Sequence, residues 1–421
     1  MKNIQPKRKI GTLILVLISL GISLTLAEVA LRFIYPIGVG SPLRHRIPNP
    51  VYGWSLEPGV SFLNQMSEAT VSVTYNSKGW RDENHSLEKP RDTVRIVVLG
   101  DSFMEAYSVN FKDSIHKQLE VLARENGVNL EVINLGVGGY GTLQEYLVFL
   151  NVGRDYKPDI VLLGFFLSND VANNSMVLET MIRKDATKAI SRPYLNPSAD
   201  TWQITQIDYE GARRRFLAAL AKREAAFHRK PGKLALIQAM EYSITRLEKL
   251  LTEKKGKTQT AEYQYEENKD LRSFVWHGVN YCQEPKEYTE AWGITKRILA
   301  RLNYEVENIG AKLVVFSVPG LYEVVPEKIK DISSRKVPHP ELICGEEAPA
   351  YTRLQGILHD LGIEYINLLP DFRKNMRDEG IDLFRYSDEH WNEQGHHLAA
   401  KIVYDSLSSK DKMIDNRSFR P

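Results

Sequence analysis

The sequence predicts an α/β fold, a parallel β-sheet covered by helices. Three observations carry that expectation. From Arg95 onward, short apolar runs that read as strands alternate with longer stretches of helical spacing. The runs are continuous rather than alternating, as in strands buried on both faces. Strand, helix, strand, helix in that order is the pattern of βαβ units, whose strands run parallel.

The first strand is Ile96-Val97-Val98-Leu99, β-branched at three of four positions and stopped by Gly100. Gly100-Asp101-Ser102 turns the chain toward a helix marked by Phe111, Ile115, Leu119 and Leu122, ending at Asn126-Gly127. Val132 to Leu135 is a second strand, and Leu143, Leu147 and Leu150 mark the next helix. Ile160 to Leu167 is a third strand, introduced by Lys157-Pro158. After an interruption the rhythm returns with a helix over Trp292–Asn308, a strand over Lys312–Val318, a helix over 349–361 and a last strand over Ile363–Leu368. A loop at Ser387–Asn392 precedes a terminal helix carrying Leu398, Ile402, Val403 and Leu407.

The 421 residues suffice for one large domain or two small ones. Residues 2–9 carry Lys2, Lys7, Arg8 and Lys9, and Ile10 to Ala27 is uncharged, a helical length of about 27 Å. The expectation is a cytoplasmic tail over 1–9 and a single-pass transmembrane anchor over 10–30, with the remainder outside the cytoplasm. A cleaved signal peptide is the rival, with Thr25-Leu26-Ala27 a poor cleavage site. Residues 31–92 read as an N-terminal elaboration, a lid or an edge, in which Val71, Val73 and Tyr75 alternate as a strand and Asn76–Gly79 turn; no chemistry is visible there. Two blocks, 93–170 and 286–408, form the sheet domain, and 409–421 is a tail. The helical insertion at 171–285 holds two or three amphipathic helices between Gly211 and Lys255 and a polar loop from Gly256 to Asn268. Its Arg213, Arg214, Arg215, Lys222 and Arg223 could meet an anionic membrane or polymer, although a solvated face is the commoner meaning of such runs.

A net charge of +2 excludes a global nucleic-acid signal. The two cysteines, Cys282 and Cys344, lack metal-ligand spacing. Outside the cytoplasm they could pair, closing a loop worth about 4 kcal/mol in the chain-entropy account. Two unrelated buried thiols are the equal alternative.

Three loops stand at the carboxyl ends of strands: Gly100–Phe103, Gly136–Gly141 and Ser168–Asp170. A fourth, Asp388–His390, precedes the terminal helix. Strand ends of one parallel sheet share an edge, so the loops can converge. Taken alone, Asp101 or Ser102 reads as a helix cap. Together with the other loops, Ser102 becomes a nucleophile candidate that needs a base, which His390 can supply, with Asp388 to fix its tautomer. The Ser102 N–H, the N–H of a glycine and the Asn169 amide could receive a developing oxyanion. Gly136–Gly141 matches GxGxxG, but Asp155 and Asp159 precede the next strand instead of ending it, so the dinucleotide pattern lacks its acidic partner and no cofactor is expected. Asp388, His390, His396 and His397 could suggest a metal, yet nothing supplies a further ligand, and none is expected. His396 reads as a satisfied polar residue at the helix start.

These motifs resemble the SGNH (GDSL) hydrolase family, named for Ser, Gly, Asn and His in four separated blocks. The likeness runs from about Arg95 to Leu407, apart from the insertion. It implies a flavodoxin-like three-layer α/β/α sandwich and serine ester hydrolysis or acyl transfer. Carried over, Ser102 is the nucleophile, Asp388 and His390 complete the catalytic set, and Gly139 and Asn169 form the oxyanion hole; Gly138 is the alternative to Gly139. Two departures stand out. The third block reads Leu167-Ser168-Asn169-Asp170 where Gly-x-Asn-Asp is usual. The last is Asp-x-His followed by Trp391, where Asp-x-x-His is common. The shorter spacing is similar to a subset that includes bacterial exopolysaccharide acetyltransferases, and it leaves hydrolysis and transfer both open.

The expected activity is therefore an esterase or O-acetyltransferase on cell-envelope or exported polysaccharide. The expected partners are an acylated small molecule or glycan, the membrane through the N-terminal helix, and envelope proteins, with no nucleic acid. A lipase or thioesterase for acyl chains and a non-catalytic envelope binding module are the alternatives.

Overall fold

The computed structural model describes residues 6–34, 39–40, 42–182, 192–196, 201–218, 274–326, 342–409 and 414. The chain divides into two compact units, Met1–Gly38 with Arg214–Glu266, and Val39–Arg213 with Glu267–Pro421.

In the first unit a helix spans Pro6–Ile34 and exposes Leu15, Leu17, Leu24 and Leu26. Among the described residues, no helix is long and apolar enough to cross a membrane. The transmembrane helix expected over 10–30 is therefore not supported. The uncharged run from Ile10 ends at Ala27, where Glu28 follows, short of the about 20 apolar residues a bilayer core asks for. Of the helices expected between Gly211 and Lys255, residues 211–218 are described and helical, with Arg213, Arg214 and Arg215 exposed. Lys222, Arg223 and the loop expected over Gly256–Asn268 lie outside the described residues.

The second unit opens with five short strands, β1 (Val39–Gly40), β2 (Arg46–Asn49), β3 (Gly53–Leu56), β4 (Ser61–Gln65) and β5 (Thr70–Thr74). They make one antiparallel ribbon, β2 with β3, and one three-stranded sheet in the order β1-β4-β5. Along β5, Val71 and Val73 are buried and Thr70, Ser72 and Thr74 exposed, as the alternation predicts.

The main sheet follows from β6 (Val94–Gly100), β7 (Leu130–Asn134), β8 (Ile160–Phe165), β9 (Lys312–Ser317) and β10 (Glu364–Ile366). All its strand pairs are parallel, and the spatial order is β10-β9-β8-β6-β7. Every residue of β6 and β8 is buried, which explains their unbroken apolar sequence. Because β6 to β7 runs one way across the sheet and β7 to β8 runs back, right-handed crossovers place their helices on opposite faces. Ile115–Glu125 pairs with the terminal helix Glu393–Ser409, and Thr142–Asn151 pairs with Lys286–Asn308. The chain reverses its direction of advance between β6 and β8, the switch point at which open α/β sheets bind ligands.

The sequence boundaries shift in three places. The third strand stops at Phe165, and Leu167–Asn173 is a helix, so the Ser168–Asp170 motif opens a helix instead of ending a strand. The helix expected over Trp292–Asn308 begins at Lys286. The helix Leu369–Arg377, with Pro370 in its first turn, follows β10 where only a strand was foreseen. Cys282 and Cys344 are joined as a disulfide, which decides between the two readings of the pair.

Candidate active site

Ser102 leaves the carboxyl end of β6 as the first residue of a four-residue helix, Ser102–Glu105. The cap is Asp101, whose carboxylate accepts the N–H of Phe103 at 2.9 Å. Because Asp101 takes that role, the Ser102 hydroxyl is left for another partner. His390 lies on the loop before the helix Glu393–Ser409, and its Nε2 is 2.7 Å from Ser102 Oγ.

Asp388 meets the other ring nitrogen twice. The His390 Nδ1–H donates to the Asp388 backbone carbonyl at 2.9 Å, and Asp388 Oδ2 lies 3.4 Å away. With two acceptors facing Nδ1, the proton sits there and the Nε2 lone pair faces Ser102. The single residue between Asp388 and His390 makes this possible. Glu389 adopts φ +64°, and its carboxylate accepts the Tyr322 hydroxyl at 2.6 Å. Burial pulls the His390 imidazole downward. The hydrogen bond and charge of Asp388, with the charge of Asp101 behind them, outweigh it and leave the pKa above the ordinary value. Phe103 covers the imidazole, its ring centroid 4.7 Å away, and the indole of Trp391 packs on Phe103 at 5.1 Å. Trp391 is fully buried and donates its Nε1–H to the Pro319 carbonyl at 3.1 Å.

Asn169 reaches the same place from the helix Leu167–Asn173. Its amide donates to Asp101 Oδ2 at 2.7 Å, which orients the side chain and leaves its second N–H free of that bond. The residue before it, Ser168, donates to Glu323 at 3.2 Å. Behind Asp101 lie the buried Glu145 and Asp170. Burial foremost, and then the neighbouring carboxylates, hold both well above the carboxylate range. Burial also raises Asp101, opposed by the Phe103 N–H, the His390 charge and the Asn169 amide. Asp101 accepts from the Phe103 N–H and the Asn169 amide, and Asp170 accepts from the Phe166 N–H.

The glycine loop Gly136–Gly141 lies between β7 and the helix Thr142–Asn151. Gly138 is packed against the nucleophile's residue: a Cβ on it would lie 3.5 Å from Ser102 Cβ and 2.9 Å from Glu105 Oε2. Its N–H donates to that Glu105 oxygen at 2.6 Å and is thereby engaged. Gly139 has φ +75°, a conformation glycine adopts without a Cβ penalty. Its N–H makes no backbone hydrogen bond among the described residues, so Gly139 and not Gly138 has a donor to offer.

Three participants were not foreseen. Tyr107 has its hydroxyl 3.3 Å from His390 Nε2, and burial raises its pKa far enough that it stays a donor. Glu105, three residues after Ser102, points inward and takes the Tyr75 hydroxyl at 2.7 Å as well as the Gly138 N–H. An acidic residue in the first turn of a helix is ordinarily solvated, so its spacing carried no signal. Arg46 donates to the Gly138 carbonyl. The reading of residues 31–92 as free of chemistry is thus corrected, because from that stretch Arg46 reaches the glycine loop and Tyr75 reaches Glu105. His396 is corrected too: it is fully buried against Trp391, its ring nitrogens lack hydrogen-bond partners among the described residues, and burial holds its pKa well below the usual value. His397 instead faces Gln118 at 2.9 Å. Among the described residues no group of three or more His, Cys, Asp or Glu is placed to hold a metal.

Residues 282–419 match the family described as SGNH hydrolase-like domain, acetyltransferase AlgX. The match contains Asp388 and His390 and stops short of Ser102. No curated protein matches the chain. Among solved structures the chain is similar to the acetyl xylan esterase AlAXEase at 10% identity and TM-score 0.37, over 75% of this chain and 100% of that one. It is similar to the lipase/acylhydrolase from Enterococcus faecalis at 10% identity and TM-score 0.36, over 75% and 96%. It is also similar to a two-domain esterase (CEX) active on acetylated mannans at 9% identity and TM-score 0.35, over 76% and 51%. Residues 282–419, with Asp388 and His390 among them and a GDSF serine against that histidine, match an SGNH hydrolase-like domain, and the chain is an enzyme that acts on ester bonds.

Proposed function

We propose that Ser102 carries the acyl group of an O-acylated glycan as a covalent ester, and that the enzyme is an esterase or O-acetyltransferase on cell-envelope or exported polysaccharide. The observation that carries the reading is the 2.7 Å contact of Ser102 Oγ with His390 Nε2, with the imidazole proton held on the opposite nitrogen by Asp388. In the first half-reaction the Ser102 hydroxyl proton passes to Nε2 as Oγ attacks the acyl carbonyl carbon. The negative oxygen of the tetrahedral intermediate faces the Gly139 N–H, the Ser102 N–H and the free N–H of Asn169. Collapse breaks the bond to the leaving sugar oxygen, which takes the proton back from Nε2. In the second half-reaction, water or a sugar hydroxyl gives its proton to Nε2 and attacks the acyl-serine, and Ser102 leaves with that proton.

The same proposal places the catalytic unit outside the cytoplasm, attached to a membrane through the helix Pro6–Ile34. Its exposed leucines support attachment, and the Cys282–Cys344 disulfide supports an oxidising compartment. The test is labelling of the full chain with a fluorophosphonate, followed by incubation with an acetylated glycan and scoring of acetate release against transfer. Ser102→Ala should abolish labelling and lower turnover by up to about 10⁶. Retention of most esterase activity in folded Ser102→Ala would refute the mechanism.

A further inference from the structure

Residues Val137 to Tyr140 form a tight turn, closed by the Tyr140 N–H on the Val137 carbonyl at 3.1 Å. Positive φ at the third residue, here Gly139 at +75°, is the mark of a type II turn. Types I and II differ by a flip of the central peptide, the one joining Gly138 to Gly139. In a trans peptide the carbonyl and the N–H point opposite ways. Whichever way the Gly138 carbonyl faces, the Gly139 N–H faces the other. The flip therefore decides whether that N–H serves the nucleophile or is turned away from it.

Two charged side chains hold this segment from both sides. Glu105 takes the Gly138 N–H at 2.6 Å, and the Arg46 guanidinium donates to the Gly138 carbonyl. Each is itself held. The Tyr75 hydroxyl donates to the other Glu105 oxygen at 2.7 Å. Arg46 lies over the Trp54 ring, 5.3 Å from its centroid, and Arg192 covers the same ring at 5.2 Å. The Gly138 site has no room for a side chain, since a Cβ would lie 2.9 Å from both the Arg46 nitrogen and the Glu105 oxygen. Successive peptides on either side of Gly138 are thus fixed by groups from β2, from the end of β5 and from the helix that Ser102 opens.

We propose that Arg46 and Glu105 are positioning residues: they clamp Gly138 by its carbonyl and its N–H and so hold the turn in the flip that presents the Gly139 N–H to the oxyanion on Ser102. The assignment rests on the Ser102 reading above. The short strands that precede the sheet domain then have a catalytic purpose, because β2 supplies one jaw of the clamp and Tyr75 braces the other. Arg46 offers a fork of donors on a planar group, so a lysine in its place should keep the charge and one donor but hold the peptide less firmly.

The test uses the full chain with Arg46→Ala, Arg46→Lys and Glu105→Gln. Three quantities are read: kcat and KM on p-nitrophenyl acetate, and the inhibition constant of a trifluoromethyl ketone, which forms a tetrahedral adduct on serine. In Arg46→Ala, kcat should fall by up to about 10²–10³, the cost of one oxyanion donor, with KM changed by less than about twofold. The ketone should weaken by the same factor as kcat/KM. Arg46→Lys should recover part of both losses. Glu105→Gln should lower kcat and weaken the ketone in parallel, because the amide keeps an acceptor for Gly138 but loses the charge. If the buried Glu105 variant does not fold, the half-buried Arg46 decides. Folded Arg46→Ala with kcat within about threefold of the parent overturns the clamp, as does a loss of kcat that leaves ketone affinity unchanged. A parent chain that neither hydrolyses the ester nor binds the ketone overturns the Ser102 reading itself, a failure visible before any variant is made.

Discussion

Removing the Asp388 carboxylate should slow the enzyme less than an aspartate deletion does where the carboxylate alone fixes the histidine. The reason is the closer partner: His390 Nδ1 lies 2.9 Å from the Asp388 backbone carbonyl and 3.4 Å from Oδ2. In Asp388→Ala the carbonyl remains, so the imidazole proton stays on Nδ1 and the base still faces Ser102. What is lost is the attraction between the carboxylate and the imidazolium that forms during reaction. At 3.4 Å that attraction is about 1 kcal/mol in a water-like dielectric and about 5 kcal/mol at an effective value of ~20. Asp388 is 23% exposed, so the true figure lies between those limits. The expected fall in kcat/KM is therefore about tenfold to a few thousandfold, below the ~10⁴ seen when the tautomer is lost. The pH profile changes with it. His390 must be neutral to act as base, and Asp388 holds its pKa above the ordinary value against burial. Without Asp388 the opposing burial remains, so the acid limb of kcat/KM moves to lower pH. The assay is hydrolysis of p-nitrophenyl acetate between about pH 5 and 9, the range in which histidine changes charge. An acid limb that stays in place, or a loss beyond about 10⁴, would refute this account of Asp388.

Two further outcomes are expected. Asn169→Ala should lower kcat by about 10²–10³ with little change in KM, read by steady-state kinetics on the same ester, because it removes one oxyanion donor and leaves Ser102 and His390 in contact. Replacing both Cys282 and Cys344 by serine should lower unfolding free energy by about 4 kcal/mol in denaturant titrations, since the bridge closes a separation of 62 residues; unchanged stability would show that the unfolded chain is not constrained by it.

The sheet was legible because its strands are buried on both faces, and the apolar runs at Ile96–Leu99 and Ile160–Phe165 have no solvent side to interrupt them. The helices Ile115–Glu125 and Glu393–Ser409 were legible from their apolar spacing, since each buries one stripe. Boundaries slipped where side chains compete. Leu167 continues the apolar run of β8 but enters a helix, because Asp170 takes the Phe166 N–H at 2.8 Å and starts the turn. The helix Leu369–Arg377 was not foreseen, and it is short, with Leu369 and Phe372 its buried residues. Ser102, Asn169 and His390 were legible because each stands in a local motif. Tyr107, Glu105 and Arg46 were not, because nothing in their immediate sequence distinguishes a tyrosine, an acid or a base that turns inward from one that faces water.

The sequence by itself determined the elements that depend on near neighbours: the alternation of strand and helix, the loops at strand ends, the residue types able to do acyl chemistry and the family they resemble. Only the tertiary structure decided which partner each side chain meets. Asp101 caps the helix and so leaves Ser102 to His390. Gly138 gives its N–H to Glu105 and so leaves Gly139. Arg46 crosses from an edge strand to hold the turn. Cys282 and Cys344 meet across 62 residues. Each of these choices joins residues far apart in the chain, and a hydrogen bond or a disulfide between them forms only once the sheet has fixed the distance.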